Sequence, residues 1–227
     1  LAPLLAEAPG ATLQVEGTVS GATFGLRGHL IAADAGRTAR AIAHALGLEP
    51  LGLAGQGTLD VQVVGPLAGP TIVLTGKLPL LSYGELRATG VDVSASLPNA
   101  SRWRQVAAQL LFARLETGDT RFESVKVGLA TQGRNVTLDV SSKGLTALMV
   151  RAAGRLEGES ALALATLTLE WPGTTWTMQS PSRISWASGV DLEPVHLRAD
   201  RQTLDVEVHQ QPGQLSGRVA LVDVDAA

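Results

Sequence analysis

The strongest constraint on this chain is a two-residue alternation of apolar and polar side chains, stopped again and again by glycine and proline. Gly55 to Leu78, GQGTLDVQVVGPLAGPTIVLTGKL, shows the unit. Leu59, Val61 and Val63 alternate with Thr58, Asp60 and Gln62, the period of a strand with one apolar and one polar face. Gly65-Pro66 and Gly69-Pro70 end the ladder, because proline has no N–H to donate and its φ is fixed. Ile72 and Leu74 then resume the alternation. This predicts strand, turn, strand.

The same grammar fills the chain on either side. Thr12 to Val19 and Phe24 to Ile31 alternate, with Leu26, Gly28 and Leu30 on one face and Arg27 and His29 on the other. After the Gly55–Leu78 unit come Gly84 to Leu97, Arg121 to Ala130 and Arg134 to Ser141, the last two joined by a Gln132-Gly133 turn. Leu148 to Leu156 and Leu162 to Trp171 follow. Pro172-Gly173 turns the chain into a segment carrying Trp176 and Met178, then Ile184 and Trp186, then Val195 and Leu197. Leu204, Val206 and Val208 alternate next, and Pro212-Gly213 precedes a last strand, Leu215 to Val222. The total is about fifteen candidate strands.

Two segments break the pattern. Asp34 to Leu46, DAGRTARAIAHAL, is rich in alanine and places Ala35, Ala39, Ile42 and Leu46 at helical spacing. Asp34 is a suitable N-cap and Gly47 a suitable C′ residue. The helix is short, so its apolar face must dock on the sheet, and a plain packing role is preferred. Arg102 to Glu116, RWRQVAAQLLFARLE, has helical propensity. Strands on both sides favour a strand over Gln109 to Glu116 instead.

The tetrapeptide Thr-Leu-Asp-Val occurs at Thr58–Val61, Thr137–Val140 and Thr203–Val206. Its spacing is unequal, so it is no fixed-period solenoid. It is either simply a good half-buried strand or, the preferred reading, a mark of growth from degenerate hairpins.

Composition decides what such strands build. Hydrophobic residues are 45% but aromatics only 4%, so the apolar mass is slim and aliphatic. A sandwich core normally carries more aromatic bulk. One sheet of these strands would run ~70 Å at ~4.8 Å each, and an open sheet of that length must twist and curl. The expected fold is mainly β: a long, curled, antiparallel-rich sheet, groove-like, with an apolar concave face and one short helix near residues 34–46. Residues 1–227 form a single elongated β domain, read as a fragment of a longer chain because it opens without an initiator Met or signal-like segment. A closed sandwich remains the alternative.

Several chemistries find no support. The net charge of −3 gives no basic footprint for nucleic acid. There is no cysteine, hence no disulfide and no thiolate metal site. The longest apolar run, Ala161 to Leu169, is far short of the ~20 residues of a spanning helix. His29, His44, His196 and His209 form no metal-ligand spacing. His29 and His209 are expected on the solvated strand face. Gly52, Gly55 and Gly57 lead into a strand, so they cannot aim a helix N-terminus at phosphate. Asp60, Asp139, Asp205 and Glu207 belong to the polar face. Asn99 and Asn135 sit in glycosylation-type sequons, a weak pattern. Trp103, Trp171, Trp176 and Trp186 either line a pocket or pack at edges and rims. No catalytic residue, metal or cofactor is expected, and the chain is not read as an enzyme.

A large apolar surface marks a binding site. A long aliphatic trough suits an acyl chain, which offers ~0.8 kcal/mol per buried methylene and needs no directional contact. By parity the trough is lined by Leu59, Val61, Val63, Ile72, Leu74, Val91, Val93, Leu138, Val140, Leu167, Leu169, Leu204 and Val206.

These segments carry a resemblance. Gly57 to Pro70, GTLDVQVVGPLAGP, resembles a recurrent element of the AsmA-like superfamily, in particular the TamB family of inner-membrane subunits of the translocation and assembly module. The Asp34–Gly47 helix is similar to the short helix those proteins place before that element. Trp176 to Leu197, WTMQSPSRISWASGVDLEPVHL, is similar to a later family stretch, with Met178 for the usual Leu, and with Pro181, Val190, Leu192, Val195 and Leu197 matching. The resemblance implies an inner-membrane anchor in a Gram-negative bacterium and a curled periplasmic sheet with an apolar interior. It implies phospholipid movement to the outer membrane, and an Omp85-class outer-membrane barrel as partner, met through another part of the full-length protein. It brings no catalytic residues. The first functional expectation is a periplasmic segment of a bridge-like lipid-transfer protein. The second is a chaperone-like module that aids assembly of outer-membrane proteins through an open sheet edge. A structural β domain without ligand is the third.

Overall fold

The computed structural model describes residues 4–46, 52–102, 104–144, 147–158, 160–171, 173–186, 189–211 and 214–222. In chain order the elements begin β1 (Leu4–Ala8), β2 (Ala11–Ser20), β3 (Thr23–Ala32), α1 (Ala35–Leu46), β4 (Leu53–Pro66) and β5 (Thr71–Tyr83). Next come β6 (Leu86–Leu97), a 3-10 turn at Ala100–Arg102, β7 (Ala107–Thr117), β8 (Thr120–Gln132) and β9 (Asn135–Lys143). The chain continues through β10 (Met149–Glu157), β11 (Ala161–Trp171), β12 (Thr174–Met178), β13 (Ser182–Ser185), β14 (Val190–Ala199), β15 (Gln202–Gln211) and β16 (Gln214–Val222).

All of these strands belong to one 16-stranded sheet, and every pairing in it is antiparallel. The order follows the chain, so the sheet is a single meander. At one place the path divides. β12 and β13 are both short and share one position, each covering part of β11 on one side and of β14 on the other.

The expected fold class is what the molecule adopts: mainly β, one long antiparallel sheet, and a single short helix among the described residues. The 102–116 segment is strand from Ala107, so ladder pairing on both sides overrides its helical propensity. β1 carries no clear alternation in its sequence, and its pairing with β2 makes it a strand. Trp186 falls just beyond β13. Gly47, Trp103 and the Pro172 and Pro212-Gly213 turn residues lie outside the described residues.

The sheet is a single layer. The accessible surface is 14442 Å², against roughly 9,800 Å² for a compact monomer of this mass. That excess is what a sheet with both faces uncovered produces. Yet Val91 is 2% exposed and Val195 1%. A flat layer cannot dry an aliphatic side chain so fully, so the sheet curls over its apolar side at these points.

Local backbone breaks shape the curl. Ala88 and Val91 are both buried although an odd number of residues apart. Between them Gly90 adopts φ +57, a left-handed conformation that interrupts the alternation. Two strands away Ser124, at φ +49, does the same between Phe122 and Val125.

The helix connects β3 to β4 and packs on β4. Asp34 caps it: its Oδ1 accepts from the Arg37 N–H at 2.9 Å, and its carbonyl accepts from the Thr38 hydroxyl at 2.9 Å. Asp34 N–H in turn donates to Gly10 O at 3.0 Å, tying the helix start to the β1–β2 turn. His44 is exposed. The side chains of Ile42 and Leu46 lie outside the described residues.

Candidate functional site

Residues directly opposite one another in an antiparallel sheet share a face. The register therefore converts strand alternation into lanes that run along the whole molecule. One lane passes through Ala6, Leu13, Leu30, Leu59, Gly76 and Val93. It continues through Leu110, Val127, Val140, Val150, Leu169 and Trp176. It is unbroken from β1 to β12, and no polar side chain interrupts it.

A second apolar lane lies beside it. Leu4, Val15, Gly28, Val61, Leu74 and Ala95 lead to Ala108, Leu129, Leu138, Ala152 and Leu167. On the far side of the shared strand position the same face carries Met178, Leu197, Leu204 and Leu221. A third, shorter lane joins Leu26, Val63, Ile72 and Leu97.

All thirteen residues expected to line the trough fall on this face. Leu59, Val93, Val140 and Leu169 lie in the first lane; Val61, Leu74, Leu138, Leu167 and Leu204 in the second; Val63 and Ile72 in the third. Val91 opposes Leu78 and Phe112 next to the first lane. Val206 opposes Val195 and Val219 next to the second. Val91 is buried and the other twelve are half-buried. Sequence reasoning missed many of their neighbours, among them Leu110, Val127, Leu129, Val150, Leu164 and Val195. Parity inside each strand carried the signal for these residues; strand pairing is what joins them.

The opposite face is equally regular and polar. Its central lane runs Gln14, His29, Asp60, Thr75, Ser94, Gln109, Gly128, Asp139, Arg151, Thr168 and Thr177, then Arg198 and Thr203. Here the three Thr-Leu-Asp-Val copies acquire a common structure. Each sends its Leu and Val to the apolar face and its Asp to the polar one. Each Asp then meets a basic residue directly across the ladder. Asp60 Oδ1 lies 2.6 Å from His29 Nδ1, Asp205 Oδ1 lies 2.7 Å from His196 Nδ1, and Asp139 Oδ1 lies 3.9 Å from Arg151 Nε. These pairs are solvent-exposed and fix register more than they stabilise.

His209 has two acidic partners, Asp191 across the ladder and Glu207 two residues away on β15, the latter at 2.8 Å. The Glu207 carboxylate first, then that of Asp191, raises its pKa above the ordinary 6.5. No group of three or more potential metal ligands occurs among the described residues.

Of the described tryptophans, Trp176 takes neither expected role and packs inside a buried cluster. Trp176 is 7% exposed and belongs to the apolar face, whereas Trp171 and Trp186 are 56% and 41% exposed at strand ends. Open depressions also mark the polar face. One of about 480 Å³ between β2 and β5 is bordered by Glu16, Arg27, His29, Asp60 and Gln62. Val61 and Val73 border it as well, so its wall mixes charged and apolar groups, and it is open to solvent.

Chemically, the apolar face can exclude water from a hydrocarbon, and among the described residues its first lane carries no polar side chain to orient a ligand. No protein-family model matches this chain, and no match was found among curated proteins or among solved structures.

Proposed function

We propose that this chain is a segment of a bridge-like lipid-transfer protein, carrying phospholipid acyl chains along its apolar β face. The observation that supports this best is the unbroken aliphatic lane from Ala6 to Trp176, on a sheet with no second layer to cover it. Burial of a sixteen-carbon chain is worth up to about 12 kcal/mol at ~0.8 kcal/mol per methylene. The absence of polar groups along the lane would let a chain slide without breaking directional contacts. The polar lane opposite it would face water. With the TamB-like motifs, the natural setting is the periplasm of a Gram-negative bacterium. There a longer, inner-membrane-anchored protein would hand lipid toward the outer membrane and meet an Omp85-class barrel through another part of its chain.

The test is lipid extraction and mass spectrometry of the purified chain. Phospholipid should co-purify, and a Val61→Asp change should remove most of it while circular dichroism stays that of a β protein. A lipid-free wild type under detergent-free purification would refute the reading.

One observation favours a chaperone-like module as second reading. Among the described residues β1 and β16 each pair with one neighbouring strand. An edge of this kind can accept a strand from an unfolded outer-membrane protein. Binding of client β-hairpin peptides without lipid would support it.

A further inference from the structure

The apolar face is not equally open along its length. From β2 to β9 Leu59, Val61, Val93 and Val140 are half-buried and keep surface for a ligand, and the dry positions on β6 and β8, Ala88, Val91 and Val125, sit at the backbone breaks of those strands. Around β11 to β14 the same face holds a dry cluster, with Leu167, Leu169, Met178 and Leu192 half-buried around it. Leu164 is 4% exposed, Trp176 7%, Val195 1% and Leu197 3%, and the four pack as one cluster. With only one sheet present, these side chains cover each other across the curl.

The local irregularities produce that closure. Opposite Ala153 and Gly154 the β10–β11 register shifts, and Leu164 and Leu167 both join the cluster although three apart in sequence. A second register shift, between Leu192 and Val195, does the same on β14. Between these two strands the shared position is divided. β12 supplies Trp176, the bulkiest side chain of the cluster, and the chain then bends before β13. Two hydrogen bonds hold the bend: Gln179 N–H donates to His196 O at 2.9 Å, and the Ser182 hydroxyl donates to Glu193 O at 2.9 Å.

We propose that Trp176 closes the apolar face at this point and divides it into two reaches, so that cargo seated on β2–β9 cannot continue to β15–β16 unless the indole is displaced. The proposal rests on the acyl-chain reading, and it turns one continuous conduit into a gated one. Trp176 acts as a sill: its bulk fills the cross-section that the half-buried aliphatics elsewhere leave free.

Two measurements test it separately. The chain has no cysteine, so single cysteines report access. The thiol of a Val61→Cys or Val140→Cys variant should react with N-ethylmaleimide at least ~10-fold faster than that of Val195→Cys, since a dry site reacts only on local opening. Adding Trp176→Leu to Val195→Cys should remove most of that difference. Each variant is accepted only if its far-ultraviolet dichroism matches wild type. Equal rates at all three positions, or no response to Trp176→Leu, would overturn the closure. In the second measurement, phosphatidylcholine with a diazirine in its acyl tail is photolysed with the wild-type chain and the adducts are mapped. Labelling of β4–β9 but not of β11–β14 supports the division, and labelling of Leu164 or Val195 overturns it. No labelling anywhere, with the thiol contrast intact, overturns the acyl-chain reading and the cargo part of the proposal with it.

Discussion

Truncating one leucine in each reach should show how differently the two are packed. Leu164→Ala removes three carbons from a side chain that is 4% exposed and packed among Trp176, Val195 and Leu197. Lost transfer free energy accounts for about 2.4 kcal/mol at ~0.8 kcal/mol per carbon, and the cavity left in a dry cluster adds about 1 more. Leu138→Ala removes the same carbons from a half-buried side chain on β9. About half the transfer is lost and water enters any gap, so the expected cost is about 1 kcal/mol. A meander whose elements pack mainly on their sheet neighbours need not unfold as one unit, so a global melting point would blur the contrast. Hydrogen exchange read by mass spectrometry resolves it. Protection of β11 and β14 peptides should fall by about two orders of magnitude in Leu164→Ala, while protection of β8–β10 peptides should fall only about fivefold in Leu138→Ala, since ~1.4 kcal/mol is tenfold. Equal losses would refute the argument that the cluster around Trp176 is a local core while Leu138 lies on an open part of the apolar face.

Two other outcomes follow from single residues. The His209 imidazole, titrated by NMR, should show a midpoint above 6.5, and Glu207→Gln should lower it more than Asp191→Asn does. Because the folded-state pKa is the raised one, His209 contributes stability that is full below its unfolded pKa and is lost as pH rises through the folded value. Gly90→Ala should destabilise the β6–β7 region by about 1–2 kcal/mol, the cost of left-handed backbone in a residue with a Cβ. The Ala113 Cβ, 2.9 Å from where the new methyl would sit, adds to that cost. Unchanged exchange protection in Gly90→Ala would show that the break in alternation does not depend on glycine there.

Much of the fold was readable before any coordinates. Alternation in the Leu59–Val63 and Ile72–Leu74 segments defined both strands, and Gly-Pro pairs placed the turn, because strand faces and proline's missing N–H are local properties. The Asp34 cap was legible for the same reason. Ala107–Thr117 was harder: its residues favour helix, and only its pairing with β6 and β8 makes it a strand. The bends at Gly90 and Ser124 left no pattern in a period-two reading, which assumes that alternation never breaks. Trp176 could be named in sequence but not assigned. Trp171, five residues earlier, ends as an exposed strand terminus, and nothing in either residue type separates them.

By itself, then, the sequence determined which side chains share a face within each strand, and it put the thirteen residues expected to line a trough on the apolar one. It also made that face mostly aliphatic, since only 4% of the residues are aromatic. Tertiary structure decided how the strands line up. The register that joins Ala6 to Trp176 in one lane, and sets each repeated Asp opposite His29, Arg151 or His196, is a relation between strands, which parity along a single strand cannot contain. Curl and closure were likewise decided only in three dimensions. They arise where register shifts on β11 and β14 and the divided strand between them bring Leu164, Trp176 and Val195 together, a sum of small backbone departures that no single residue announces.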